Sequence, residues 1–190
     1  MSCVLDFYSD RLEELLIEGK QSELALVLRK GKTLDPAVIN SQKKILLFLD
    51  SNLRCGDIFT RGNGTKYFVV SRQQSDGAVD CQAMMVNSYI KIQRLEKLYE
   101  DYDFVGLKAN TISENTSCYF KDVSASMRYY DAGLLKDTTK IILVKATVDI
   151  KELDRVILNG NSYQVDNIDT GKYLNMNYIQ LSEDTREQHE

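Results

Sequence analysis

Apolar and polar positions change period several times along the chain, and each change marks an element. Leu5, Tyr8, Leu12, Leu15 and Leu16 recur at three- and four-residue spacing, which predicts an N-terminal helix reaching roughly to Glu18. Asp6 and Asp10 lie early in it, where the helix dipole favours anions, and Gly19 supplies a stop. Leu24, Leu26 and Leu28 then alternate with Ala25, Val27 and Arg29, the period of a strand, ending at Lys30-Gly31-Lys32. Pro36 falls in the next connection. Lys44–Leu49 is an apolar run of strand length. Asp57–Thr60 and Lys66–Val70 flank Arg61-Gly62-Asn63-Gly64-Thr65 and read as a hairpin. A second hairpin is predicted to turn near Ser75-Asp76-Gly77 and to finish with Tyr89-Ile90-Lys91-Ile92. Leu95, Leu98, Tyr99 and Tyr102 fall on one helical face and predict a short helix between two β regions. Beyond it, Cys118–Phe120, Lys140–Val144, Arg155–Leu158, Ser162–Val165 and Tyr178–Leu181 read as strands, and Ser182–Glu190 as a charged, frayed tail.

The two β regions resemble each other. Lys44-Ile45-Leu46-Leu47-Phe48 lines up with Lys140-Ile141-Ile142-Leu143-Val144, and Tyr67-Phe68-Val69 with Tyr163-Gln164-Val165, both at an offset of 96. Asp57 and Gly62-Asn63 match Asp154 and Gly160-Asn161 in order, and Tyr89-Ile90-Lys91-Ile92 matches Tyr178-Ile179-Gln180-Leu181. A duplicated unit explains ordered matches at near-constant spacing better than chance does. Each unit holds about five short strands joined by tight turns, which favours a small barrel or sandwich. The expected fold is therefore mainly β: two tandem small antiparallel barrels or sandwiches, with an N-terminal helix and an inter-barrel helix. Residues 1–94 form the first domain, 95–183 the linker helix and second barrel, and 184–190 the tail. Tyr67, Tyr89, Tyr163 and Tyr178 then hold equivalent core or rim places.

Charge narrows the function. With 24 Lys+Arg against 28 Asp+Glu, the net charge is −4, a poor balance for a protein that grips nucleic acid by neutralising phosphates. The halves differ: residues 1–95 carry 13 basic and 11 acidic side chains, residues 96–190 carry 11 and 17. Such a dipolar chain could align head to tail. No run of about 18 apolar residues marks a membrane helix, and Met1–Asp6 carries neither a basic nor an apolar stretch of a signal peptide.

Candidate chemistry is sparse. The single histidine, His189, sits in the charged tail, and Cys3, Cys55, Cys81 and Cys118 show no metal or redox spacing. They are expected to pack as reduced, small apolar groups. Gly62-Asn63-Gly64-Thr65-Lys66 departs from a phosphate-binding loop, because Thr65 intervenes before the lysine and a strand follows. Acidic groups at Glu100-Asp101-Asp103 and at Asp149, Glu152 and Asp154 could ligate Ca²⁺ but lack EF-hand spacing, and solvated turns account for them better. No catalytic, cofactor or metal residue is expected. The segment 124–138 is long for a connection and mixes Arg128, Tyr129 and Tyr130 with Met127 and Leu134, residue types enriched where proteins meet. Either it binds a partner or it folds over the barrel as a cover.

Gly56-Asp57-Ile58-Phe59 with Lys66-Tyr67-Phe68-Val69-Val70, its echo Asp154-Arg155-Val156 with Asn159–Val165, and the run Met127–Gly133 resemble the small β-barrels of head–tail connector proteins of tailed bacteriophages, the head-closure or neck class. That resemblance implies a non-enzymatic virion component, assembled in the bacterial host cytoplasm. It would form a ring homo-oligomer between portal or adaptor and tail proteins, with genomic DNA passing through unbound and no membrane contact. Members of the class are usually single-barrel, so the doubling is a departure. The expected interface residues are Arg128, Tyr129, Tyr130, Asn63 and Asn161. The alternatives are an OB- or SH3-like binding module for nucleic acid or ligand and, more remotely, a carboxylate-dependent hydrolase.

Overall fold

Strand alternation governs the molecule. The structure, a computed structural model, describes residues 4–30, 41–75 and 77–186. Gly31, Lys32, Pro36, Asp76, Cys3 and His189, singled out above, lie outside the described residues. The chain divides into two units: Met1–Asn87 with Tyr173–Met176, and Ser88–Lys172 with Asn177–Glu190. Each contains a closed antiparallel barrel.

The first barrel comprises β1 (Glu13–Ile17), β2 (Glu23–Arg29), β3 (Gln42–Leu47), β4 (Ile58–Thr60), β5 (Lys66–Gln74) and β6 (Val79–Met85). The second comprises β7 (Ser88–Glu100), β8 (Asp103–Asp122), β9 (Lys140–Lys145), β10 (Arg155–Leu158), β11 (Asn161–Tyr173) and β12 (Met176–Glu183). Around the first barrel the order is β1-β2-β3-β6-β5-β4, and around the second β7-β8-β9-β12-β11-β10. These are the same order, strand for strand. Closure removes the unpaired edges that an open sheet of this size would expose.

The duplication extends to register and core. Leu26 opposes Leu46 as Tyr119 opposes Leu143, and Ile17 opposes Phe59 as Ile92 opposes Val156. The first core is built on Leu15, Ile17, Ala25, Ile45, Leu47, Leu53, Phe59, Tyr67 and Val69. The second uses Ile90, Ile92, Cys118, Ile142, Val144, Ile150, Val156, Tyr163 and Val165 at the matching positions. Both units also repeat one turn. Asp57 Oδ2 accepts from the Arg54 amide at 2.7 Å, and Asp154 Oδ2 from the Lys151 amide at 2.8 Å. Residues just before these aspartates, Gly56 (φ 84°) and Leu153 (φ 68°), are left-handed.

Four sequence expectations are corrected. The first concerns the N-terminal helix: Val4–Arg11 is a 3-10 helix broken at Tyr8, after which the chain turns into β1, with Leu15 and Ile17 buried and Leu16 exposed. The second is the inter-barrel helix around Leu95–Tyr102, which is strand and turn: β7 pairs with β8 from Ser88 to Glu100. In consequence Tyr89–Ile92 opens the second barrel instead of closing the first. It corresponds to β1, not to Tyr178–Leu181, and Tyr89 is 49% exposed while Tyr67, Tyr163 and Tyr178 are buried.

The third is the alignment of β3 with β9. Their buried residues match at an offset of 97 (Ile45 with Ile142), one more than the residue-type match suggested. A one-residue slip would turn every core side chain outward. The extra residue lies in the β4–β5 loop, where the Arg61 amide bonds Thr65 O. In the second barrel Leu158 and Asn161 pair directly across Asn159-Gly160. Asn63 and Asn161 therefore do not occupy equivalent places. The fourth is the tail, whose start is built in: the Asp184 side chain is fully buried against Arg155.

Moving the boundary to Asn87 also changes the charge picture. Residues 1–87 hold 11 basic and 11 acidic side chains, and residues 88–190 hold 13 and 17. The whole surplus of negative charge belongs to the second unit. No helix among the described residues is long and apolar enough to cross a membrane.

Candidate functional site

Residues 124–138 fold back on the second barrel. Ser124 caps the helix α1 (Ala125–Tyr130), its side chain accepting from the Met127 amide. Arg128 holds the following turn: Nη1 donates to Lys136 O at 2.7 Å and Nη2 to Thr138 O. From below, buried Gln180 on β12 grips the same turn. Its Oε1 accepts from the Leu135 amide (2.8 Å) and Thr138 Oγ1 (3.0 Å), and its Nε2 donates to Gly133 O (2.9 Å). Lys172 bonds Asp131 at 3.1 Å and lies 3.8 Å from the Tyr178 ring centroid. Burial lowers the Lys172 pKa, but its bonds to Asp131 and Tyr178 outweigh that and raise it. The ammonium is therefore a stable partner.

The outcome is a braced helix with its aromatics outside. Tyr129 and Tyr130 are 82% and 83% exposed and meet edge to face at 5.0 Å. Exposed tyrosines on a held helix are of the residue type enriched where proteins meet. Arg128 differs from its neighbours: its guanidinium is committed to carbonyls of its own loop. Asn63 is exposed in the β4–β5 loop, its Oδ1 accepting from the Thr65 amide at 3.1 Å, and Asn161 is exposed at the start of β11.

A second exposed feature comes from β7 and β8. Beyond Gln93, which opposes Arg155, β7 pairs only with β8 among the described residues. The two strands continue as a ribbon to a tight turn at Asp101-Tyr102, where both residues have positive φ (48° and 74°). Tyr99 and Phe104 stack edge to face near the turn and are 55% and 58% exposed, and Tyr102 stands wholly in solvent. Along the ribbon Gly106 is buried and Leu95, Leu98, Val105 and Leu107 are half-buried, so its fully exposed aromatic surface is confined to the neighbourhood of the turn.

Several groups with reactive potential among the described residues are engaged in structure. Burial pushes the Cys81 and Cys118 thiols up to about 12, away from the reactive thiolate. Asp149 and Asp154 do converge, but on a cation: both pair with Arg94, at 3.2 and 2.9 Å. Asp57 pairs likewise with Lys20 at 2.5 Å. A groove of about 710 Å³ in the first unit is lined by Lys20, Glu23, Asp50 and Arg54, with the Glu23 carboxylate bonded to Ser51 and the Asn52 amide. No group of three or more metal-ligating side chains occurs among the described residues.

Sequence reasoning identified the 124–138 segment and missed Gln180, Asp184 and the ribbon. A signal existed for Gln180, a polar residue between Ile179 and Leu181 on a strand buried on both sides. No protein-family model matches this sequence, and no curated protein is similar to it.

Proposed function

We propose that this chain is a structural component of a tailed-phage virion, part of the neck or head–tail connector ring between portal or adaptor and tail. The β7–β8 ribbon carries this reading: an arm that ends in an exposed aromatic turn, Tyr99, Tyr102 and Phe104, fits a protein completed by its neighbours. The braced Tyr129–Tyr130 pair supports it as a second preorganised contact. The family assignment rests on the likeness of residues 56–70 and 154–165 to connector barrels. A chain of net charge −4 would let DNA pass without adhesion.

Two measurements test the proposal. Electron micrographs of the purified chain are expected to show rings, and mass spectrometry of purified virions is expected to contain it as a neck protein. Absence from virions together with salt-dependent DNA binding in a gel shift would replace this reading with that of a nucleic-acid module.

A further inference from the structure

The β7–β8 ribbon is open along both sides. Past Gln93, among the described residues, β7 has no strand neighbour but β8, and β8 meets β9 only at Tyr119–Asp122. In an antiparallel pair every second residue turns its amide and carbonyl away from the partner strand. Both strands of the ribbon therefore present a row of unpaired backbone groups, whereas the barrels, being closed, do not. Residues 94–122 contain no proline, one of the devices by which native edges block pairing.

The charges on these edges select a partner. Inside the ribbon Glu96 opposes Lys108, Lys97 opposes Leu107 and Leu98 opposes Gly106. Glu96 and Lys108 are exposed, and no side-chain hydrogen bond or ion pair among the described residues engages either. A lysine on a bare edge discourages strand addition unless an acid comes to lie opposite it. The β7 edge offers that acid. A second ribbon laid alongside in the register used internally sets its Glu96 opposite Lys108 and its Leu98 opposite Gly106. A slip of two residues would set Glu96 against Asn110 or Gly106 and lose the pair.

We propose that the ribbon is an assembly element whose occupant on each side is a second copy of this chain: the β7 edge of one copy pairs antiparallel with the β8 edge of the next, and the ribbons join into one continuous sheet. Main-chain bonds supply the affinity of such strand addition, and the Glu96–Lys108 pair sets its register. A two-fold contact between like edges would cover one edge of each chain and leave the other bare. Across β8 it would also set Lys108 against Glu114, which Lys91 already holds at 3.1 Å. Pairing unlike edges covers both. That contact is heterologous, so it closes rings or extends filaments, and a closed ring leaves no edge unpaired. The inference rests on the assembly reading above and names its contact.

Sedimentation velocity on the full chain tests it. The wild type should self-associate with rising concentration. Glu96→Lys and Lys108→Glu alone should each weaken association about tenfold or more, since every joint then opposes like charges. Mixed in equal amounts they should recover it, because alternating copies restore an acid–base pair at every joint. The pair inside each ribbon stays broken in that mixture, so recovery reports contact between chains. Asp50 and Lys136 are exposed elsewhere, and Asp50→Lys and Lys136→Glu should associate as the wild type does, alone and mixed. Hydrogen exchange on the wild type needs no substitution: amides at alternate positions of residues 94–109 should slow on association, a pattern that side-chain docking does not produce. Association untouched by either ribbon substitution, no recovery on mixing, or the same loss and recovery in the control pair overturns the edge contact and leaves the virion reading standing. Absence from virions with recovery on mixing intact does the reverse. A wild type that stays monomeric overturns the contact.

Discussion

Replacing Asp184 by Asn should destabilise the second unit selectively. Asp184 accepts from Arg155 Nε at 2.6 Å, from Arg186 Nε and Nη2 at 2.8 Å each, and from the Arg186 amide at 3.0 Å. Its side chain is wholly buried and that of Arg155 is 5% exposed. The arginines extend the lock: Arg155 Nη2 donates to Arg186 O and Arg186 Nη1 to Leu153 O. An asparagine would turn an amide donor toward donors and leave the Arg155 charge uncompensated. Breaking a buried pair this way costs about 3–5 kcal/mol. Arg186 is 25% exposed, so water can soften the loss, and the lower end, about 3 kcal/mol, applies. For a unit of this length that is about 12 °C or more in melting temperature. Differential scanning calorimetry should show the transition of the second unit moving and that of the first holding still. A shift under about 2 °C would refute the reasoning.

The same group fixes an acid limit. Burial alone would raise the Asp184 pKa, but the bonds from Arg186 and Arg155 outweigh it and hold the carboxyl well below the usual carboxylate range. Its folded value lies below its unfolded value. The stability it contributes is therefore complete above about pH 4 and is lost as pH falls through the folded value. In Asp184→Asn the second unit should lose part of this acid sensitivity.

Three further outcomes are expected. Gln180→Ala removes three bonds to residues 133–138 at a cost of about 1–3 kcal/mol, and hydrogen exchange at Leu135 and Thr138 should accelerate while the β3 amides hold. Leu153, left-handed at φ 68° where the first unit has Gly56, should become about 1 kcal/mol more stable as Leu153→Gly, measured by denaturant melts. Amides of residues 95–109 should exchange much faster than those of Ile90 and Ile92 in dilute protein, and slow on assembly.

The duplicated barrel was legible because its signals are local. Gly-rich turns, alternating apolar runs and the Asp-led strand recur in order, which marks the repeat; the strand order around each barrel and its sixth strand carry no such local signal. The ribbon was not legible, for a physical reason. Among its described residues from 94 to 109 only Gly106 is fully buried, with Leu95, Leu98, Val105 and Leu107 half-buried, so a period of two is weakly marked and Leu95, Leu98, Tyr99 and Tyr102 mimic a helix face. At the N-terminus Leu12, Leu15 and Leu16 misled in the same way: β1 buries only Leu15 and Ile17, and that selection is made by β2 and β4. Among the candidate site residues, Tyr129 and Tyr130 stand out from type and context alone. The commitment of Arg128 to its own loop depends on carbonyls up to ten residues away and has no sequence signature.

Matched positions in the two interiors differ in size in opposite directions. Ala25 and Phe59 in one stand where Cys118 and Val156 stand in the other, and Val27 stands where Phe120 does. Each half has thus settled its own division of volume. A single residue transplanted between halves would open a hole or force a clash, whereas a whole set moved together would fit. The halves still share one blueprint, yet their parts are no longer spares for each other.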